Sequence, residues 1–199
     1  MSSAQLISVC VGKAAPLLTR SGTVLSAIAK QPVSTLRNPV RCSVNTQGLH
    51  GDESVEPGIH GAPTQAIYLY PSEHYAFWQQ LRAQFHLPAL PDAGALGENL
   101  LVSGLLEREV WVGDQLTIGS VLLRVTRPRE PCFKLDIHLQ LRMAAKMMMQ
   151  SGFSGFYASV VSSGHLQAGD PIRVTPGQRQ ITIAEHLKIG AASAQRALF

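Results

Sequence analysis

Short runs of β-branched and other apolar residues, each ended by glycine, proline or asparagine, recur along most of this 199-residue chain. Runs of this length between turn-forming residues are typical of β-strands. We predict strands over residues 6–11, 23–29, 40–44, 65–70, 97–102, 109–112, 115–118, 121–126, 156–161 and 172–175. Many strands with few helices predict a mainly β fold, and specifically a β-barrel.

Helices are predicted at three places. Pro71 opens the first, because proline is tolerated in the first helical turn, and Glu73 follows it as an acidic residue near the helix start. Helical spacing then places four large apolar residues on one face that we expect in the core: Tyr75, Trp78, Leu81 and Phe85. A second helix, rich in leucine, methionine and alanine, is predicted over residues 136–150.

The C-terminal residues 180–199 differ from the rest because they are alanine-rich and polar. Thr182 can cap a helix there, with Glu185 at the spacing of a capping box. We therefore expect a short helical appendage after one main domain. A hydrophobic content of 45% against 15% charged residues is enough for that domain to bury a core.

The charge and cysteine content narrow the function classes. A net charge of +4 is a mild surplus, and no basic block is longer than two residues, which argues against a nucleic-acid partner. The cysteines, Cys10, Cys42 and Cys132, are odd in number and lack CxxC spacing, which argues against disulfides and structural zinc. The N-terminus lacks the features of a secretory signal, and no stretch approaches membrane-spanning length. We expect a cytoplasmic protein with no membrane partner.

The segment 127–134, with the sequence RPREPCFK, is the strongest candidate for chemistry. Its prolines hold the chain extended around Cys132, and its cations favour a thiolate, the form that attacks or binds a soft metal. In an extended run Cys132 and Lys134 share one face while Arg127 and Arg129 take the other, so they converge only if the chain turns near Pro131. A half-buried cysteine beside solvated cations is the alternative. Cys10 lies inside a predicted strand and is expected in the core, whereas Cys42 fits either role.

Histidines and a glycine-flanked carboxamide form two weaker candidates. His50, His60 and His74 suggest zinc, but their spacing matches no zinc motif. His60 could instead donate to an anionic group. The alternative is that these histidines simply lie in polar turns. Asn99, in the sequence Gly-Glu-Asn at the start of a strand, could hydrogen-bond a heterocycle, or the segment is an ordinary turn.

Taken in order, several segments resemble the MOSC domain family, and within it the YiiM-like branch: 26–30, 48–52, 60–63, 70–75, 97–100, 112–114 and 127–134. The resemblance implies a MOSC-type β-barrel domain over residues 1–178, with a few peripheral helices. It also implies that residues 179–199 are a shortened form of the family's C-terminal three-helix domain. One departure is Ala62, where the family often has a second glycine after the histidine.

The resemblance also implies a molybdenum cofactor whose metal is bound by Cys132, which would be both metal ligand and catalytic residue. Lys30, and either Arg127 or Arg129, would bind the pterin phosphate, a role that suits their charge. The same pocket would be lined by His60, Asn99 and Lys134.

The implied function is reduction of N-hydroxylated compounds such as hydroxylaminopurines and amidoximes. No nicotinamide or flavin fingerprint is visible in the sequence, so we expect a separate flavoprotein or iron–sulfur electron donor. Two alternatives remain: a sulfur carrier with a persulfide on Cys132, and a non-catalytic pterin-binding module.

Overall fold

The computed structural model describes residues 4–20, 22–55 and 63–196, with side chains up to residue 190. Within these ranges the chain is mainly β, as predicted. The strands are β1 Gln5–Gly12, β2 Ala15–Thr19, β3 Gly22–Ser26, β4 Lys30–Thr35, β5 Cys42–Asn45, β6 Gly48–Leu49, β7 Ile67–Pro71, β8 Leu100–Ser103, β9 Gln115–Ile118, β10 Val121–Pro128, β11 Phe156–Ser162, β12 Gly164–Leu166 and β13 Ile172–Thr175. The α-helices are α1 Tyr75–Gln84, α2 Phe133–His138, α3 Ala144–Ser151 and α4 Ile183–Arg196.

One mixed sheet of eight strands dominates the fold, in the order β13, β9, β10, β11, β7, β8, β1, β4. Its neighbouring strands are antiparallel except for the parallel pair β7 and β8. A parallel pair needs a crossover, and α1 lies in this one. Strands β12, β5 and β6 form a small second sheet, and β2 pairs with β3 as a hairpin.

The predicted barrel is wrong, because the large sheet is open, with β4 and β13 at its ends. The segment before β13 approaches β1 only through an isolated bridge between Gln5 and Pro171 and neighbouring backbone hydrogen bonds. Proline has no backbone N–H to donate, so it cannot continue a ladder at this position. The sheet therefore curls toward itself without a continuous closing ladder.

The single helix predicted over residues 136–150 is two helices, α2 and α3. Gln140 and Met143 between them have φ of 51° and 66°, in the left-handed region that interrupts a right-handed helix. The Asp136 carboxylate accepts hydrogen bonds from the backbone N–H groups of Met143 (3.2 Å) and Ala145 (2.7 Å). This contact satisfies donors at the start of α3 and fixes the bend.

Two other local predictions are wrong. Residues 109–112 form no strand, since Trp111 makes only an isolated bridge to Thr182. Phe85 follows the end of α1 and is 55% exposed, whereas Trp78 on the same predicted face is fully buried. The capping box is confirmed: Thr182 Oγ1 accepts the Glu185 N–H (3.1 Å), and Glu185 accepts the Thr182 N–H (2.9 Å).

The core lies on both faces of the large sheet. On one face, Tyr70, Trp78, Leu96 and Leu135 belong to a cluster that joins α1 and α2 to the sheet. This packing places the start of α2 beside β7 and the loop before β8, where the candidate site lies. None of the helices in the described ranges is long and apolar enough to cross a membrane.

Candidate functional site

A cleft opens between the start of β4 and the turn that joins β10 to α2. Its lining comes from stretches that are far apart in sequence: Ser26, Ala27, Ile28, Lys30, Glu53, Val55, Gln65, Tyr68, Gly97, Asn99, Arg129, Glu130, Cys132, Lys134 and Tyr157. The cleft therefore gathers Lys30, Asn99, Arg129, Cys132 and Lys134 from the predicted site residues.

The chain turns near Pro131, which is the condition under which the residues around Cys132 can converge. Strand β10 ends at Pro128, and α2 begins at Phe133. Cys132, immediately before α2, is extended, with φ −120° and ψ 178°, and its thiol is free and exposed. The turn directs Arg129, Cys132 and Lys134 to one cleft.

Arg127 and Arg129 take different positions despite their spacing. Arg129 is 8% exposed, donates to the Leu96 carbonyl through Nη1, and stacks over the Tyr68 ring at 4.7 Å from its centroid. It lines the same cleft as Cys132. Arg127 is outside the described lining and pairs with Glu130 at 2.5 Å on the surface. Arg129 thus ties the cysteine turn to the loop before β8.

Lys30 and Asn99 are held by a residue that was not among the predicted site residues, Asp52. Its Oδ1 accepts from the Lys30 ammonium at 2.5 Å and from the Gly12 N–H at 2.7 Å. Its Oδ2 accepts from the Asn99 amide nitrogen at 2.8 Å, while the Asn99 amide oxygen accepts the Tyr68 N–H at 3.1 Å. Asp52 closes the 48–52 segment already singled out in the sequence. The resemblance of this segment to the MOSC family is the sequence feature that pointed to Asp52.

Glu98, between Gly97 and Asn99, stabilises the loop before β8 and does not line the cleft. Its carboxylate is fully buried and accepts from the Tyr75 hydroxyl, the Gly94 N–H (2.6 Å) and the Leu96 N–H (3.0 Å). Burial raises the pKa of Glu98, although these hydrogen bonds oppose the rise. Gly94 has φ +81°, and a Cβ there would lie 2.5 Å from the Lys30 carbonyl oxygen. Only glycine lets the loop approach β4 so closely.

Tyr68 and Tyr157 form an aromatic part of the cleft wall, with ring centroids 5.3 Å apart. The Tyr68 hydroxyl donates to the Ser154 carbonyl at 2.8 Å. Burial raises the pKa of Tyr68 and of Tyr157, so both hydroxyls keep their protons at neutral pH. Tyr157 lines the cleft and can therefore act as a hydrogen-bond donor.

The three cysteines occupy different environments. Cys10 is fully buried, as predicted, and burial raises the pKa of its thiol to about 12. Cys42 is half-buried, and its Sγ donates to the Val40 carbonyl at 3.4 Å. Only Cys132 among them lines the cleft.

The histidines lie apart from this cleft or outside the described ranges. His60 belongs to the latter, so its predicted role stays a prediction. His74 is buried, pairs with Glu107 at 2.7 Å and stacks on Phe153. No group of three or more histidine, cysteine or acidic side chains converges as a metal site in the ranges that the structure describes.

The chain is similar to the protein YiiM of Escherichia coli (strain K12), with 37% identity over 139 residues. These residues are 69% of this chain and 61% of YiiM, so the match spans less than two thirds of that relative. A protein named Reductase from Gibberella moniliformis is 36% identical over 152 residues, which are 76% of this chain but 26% of that protein.

Solved structures agree with the sequence matches. The crystal structure of YiiM from Geobacillus stearothermophilus superposes with a TM-score of 0.71 and 34% identity, covering 98% of this chain and 90% of that one. YiiM from Escherichia coli gives a TM-score of 0.70 with 27% identity, covering 94% and 76%. The sequence profile of the MOSC domain matches residues 56–173, more than half of the chain. The protein belongs to the MOSC domain family, and the resemblance found in the sequence is confirmed.

Proposed function

We propose that this protein is a molybdenum cofactor-dependent reductase of N-hydroxylated compounds, with Cys132 as the metal ligand. The observation that carries the proposal is an exposed, free cysteine that shares a cleft with buried Arg129 and Lys30. A thiolate is a ligand that soft metals prefer, and cations beside it suit a phosphate-bearing cofactor. The reductase-named relative gives independent support for a redox activity.

The cleft residues fit such a cofactor by the chemistry of their donors. Lys30 gives one N–H to Asp52, so its remaining donors can bind a phosphate oxygen. Arg129 and Lys134 add positive charge on the Cys132 wall, and Asn99 and Tyr157 offer hydrogen-bonding groups. The predicted phosphate role of Arg127 requires a contact at the rim, because its guanidinium pairs with Glu130 there.

When bound, the cofactor supplies the redox chemistry in which two electrons and two protons convert N–OH into N–H and water. The chain binds and orients the cofactor through Cys132 and the cations, and the buried wall excludes water from one side. The Tyr157 hydroxyl, which keeps its proton, can donate a hydrogen bond to a substrate oxygen in the cleft. The electrons come from a separate flavoprotein or iron–sulfur protein in this proposal.

A sulfur carrier is the second candidate, because a persulfide must be reachable by its acceptor and the Cys132 thiol is exposed. Metal, pterin and persulfide analysis of freshly purified protein separates the two. Bound molybdopterin supports the reductase, and a labile persulfide without metal supports the carrier. Pterin without turnover of any N-hydroxylated substrate would indicate the binding module.

The decisive variant is Cys132→Ser, which replaces a soft thiolate with a hard oxygen of similar size. We expect it to fold normally and to lose reductase activity, measured per folded, pterin-loaded molecule with a chemical reductant. Cys42→Ser, the matched control, should change little in either property. Cys10→Ser should lower the free energy of unfolding by about 1–3 kcal/mol, since it puts a hydroxyl in the core, yet leave turnover of the folded fraction intact. Near-normal turnover by Cys132→Ser would show that its thiolate is not an essential ligand.

A further inference from the structure

A second cavity lies between the end of α3, the first turns of α4 and the loop after β8. Apolar side chains form much of its wall: Leu106, Met149, Phe153 and Leu187. Among the described residues, none lines both this cavity and the Cys132 cleft. The cavity is therefore separate from the site proposed for the cofactor.

The polar part of this second cavity is a buried pair of side chains, His74 and Glu107, which are 8% and 5% exposed. His74 Nε2 lies 2.7 Å from Glu107 Oε2, and Glu107 Oε1 accepts the Gly155 N–H at 2.7 Å. The His74 ring also stacks on Phe153, with centroids 3.9 Å apart and 13° between the planes. These contacts fix the orientation of the imidazole.

The same contacts assign the hydrogen-bonding roles of the two His74 nitrogens. A neutral imidazole has one donor and one acceptor nitrogen, and a carboxylate can only accept. Nε2 therefore donates to Glu107, and Nδ1 carries a lone pair. Nδ1 has no hydrogen-bond partner in the described ranges, where His186 Nδ1 is the only side-chain nitrogen or oxygen that is both buried and unpartnered. The Nδ1 atom of His74 is thus accessible, and we infer that it opens to the cavity that His74 lines.

The charged residues of the cavity do not favour an ionic ligand. Arg108 pairs with Glu109 at 3.5 Å on the surface. Lys188 follows Glu185 by three residues on α4, the spacing at which helical side chains are neighbours. Glu107 is already paired with His74. What the cavity offers a ligand is an apolar wall and one open hydrogen-bond acceptor.

We propose that this cavity binds a small neutral ligand with an aromatic body and one O–H donor, the chemistry of a phenol. The hydroxyl donates to His74 Nδ1, and the ring packs against Met149, Phe153 and Leu187. Aromatic rings and thioethers both make favourable contacts with an aromatic ligand. A ligand of the same shape without a donor leaves the acceptor unpaired, which is the basis of selection. The proposal does not depend on the reductase function.

The test measures binding of three probes by calorimetric titration at about pH 8, where an ordinary imidazole is neutral. The probes are phenol, anisole, which has a similar ring but no O–H donor, and benzoate, which is an anion. We expect phenol to bind with a Kd of about 1 mM, ordinary for so small a ligand, and anisole and benzoate to bind about tenfold more weakly.

Two variants locate the phenol. His74→Phe combined with Glu107→Gln removes the acceptor without leaving a buried carboxylate unpaired, and should bind phenol no better than anisole. Ala184→Phe fills the cavity from α4 and keeps the His74–Glu107 pair, so it should lose phenol binding even if the first variant does not fold. His165→Phe is the matched control, because His165 is exposed on β12. It should bind phenol like the native protein, and so should Cys132→Ser.

Three results would overturn the proposal. The first is equal affinity of the native protein for phenol and anisole, or no binding of phenol at all. The second is unchanged phenol binding by Ala184→Phe, which would place the phenol elsewhere. The third is loss of phenol binding in Cys132→Ser, which would place it in the cleft. Tighter binding of benzoate than of phenol would show that the cavity selects an anion, and would overturn the assigned role of Nδ1.

Discussion

Lys30, Asp52 and Asn99 form a buried, hydrogen-bonded wall of the cleft, whereas Cys132 lies on an exposed turn in the opposite wall. The buried wall is anchored to strands, since Lys30 begins β4 and Asp52 also accepts the N–H of Gly12 in β1. The cysteine turn is anchored mainly through Arg129, which reaches across to the Leu96 carbonyl.

The two walls therefore have different roles: the buried wall shapes the cleft, and the exposed wall carries its reactive group. The buried wall is built by the fold and is preorganised before any ligand binds, which lowers the cost of binding. The exposed wall presents Cys132, the most exposed of the three thiols. Substitutions in the first wall should therefore act mainly on stability, and substitutions in the second mainly on activity.

The largest expected effect is on the buried wall. Asp52→Ala leaves the Lys30 ammonium buried without its carboxylate, and breaking such a pair costs about 3–5 kcal/mol of unfolding free energy. Chemical denaturation measures this loss. Glu53→Ala is the matched control, because Glu53 is the adjacent carboxylate but forms its ion pair with Lys13 on the surface. An Asp52→Ala protein as stable as Glu53→Ala would show that the two walls do not differ as described.

Much of the fold was predictable because strand signals are local. Alternation and turn residues placed β9, β11 and β13 within one residue of their observed bounds. Strands β2 and β4 were missed because each contains proline and neither shows a buried apolar alternation. Whether a sheet closes depends on contacts between distant segments, such as that of Gln5 with Pro171, which no local pattern contains.

The candidate site was predictable only in part for the same reason. Cys132 was singled out by its own neighbours in sequence. Asp52 was missed as a site residue because its partners Lys30 and Asn99 are 22 and 47 residues away. The different positions of Arg127 and Arg129 depend on the end of β10 at Pro128, because Arg127 lies in the strand and Arg129 in the turn that follows it.

An intermediate effect is expected where the exposed wall is tied to the interior. Arg129→Ala removes a hydrogen bond to a buried carbonyl and a cation–π contact, which together are worth about 2–3 kcal/mol. Arg127→Ala should cost at most about 1 kcal/mol, because its pair with Glu130 is solvent-exposed.

Pterin occupancy, measured on the folded fraction of both arginine variants, sharpens the comparison further. We expect Arg129→Ala to lose more pterin than Arg127→Ala, because only Arg129 lines the described cleft. Equal stability and equal occupancy in the two variants would show that the turn is not anchored through Arg129.

The smallest expected effect is a pH dependence from Glu98 beneath the buried wall. Its folded-state pKa is raised by burial above the ordinary value of 4.5, so the folded protein binds this proton more tightly than the unfolded chain does. The unfolding free energy contributed by this group is therefore greatest below pH 4.5 and falls as pH rises through the raised pKa, by at most about 1.4 kcal/mol per pH unit.

Glu98→Gln cannot titrate and should lack this slope. The measurement is the difference in unfolding free energy between the native protein and Glu98→Gln at several pH values, because other carboxyl groups cancel in that difference. Glu53 and Glu185, whose pKa values are lowered by hydrogen bonds from backbone N–H groups, contribute the opposite slope in both proteins. A difference that stays constant from acid to neutral pH would mean that burial does not govern the Glu98 carboxyl, and that the loop around Glu98 is more accessible to water than its contacts indicate.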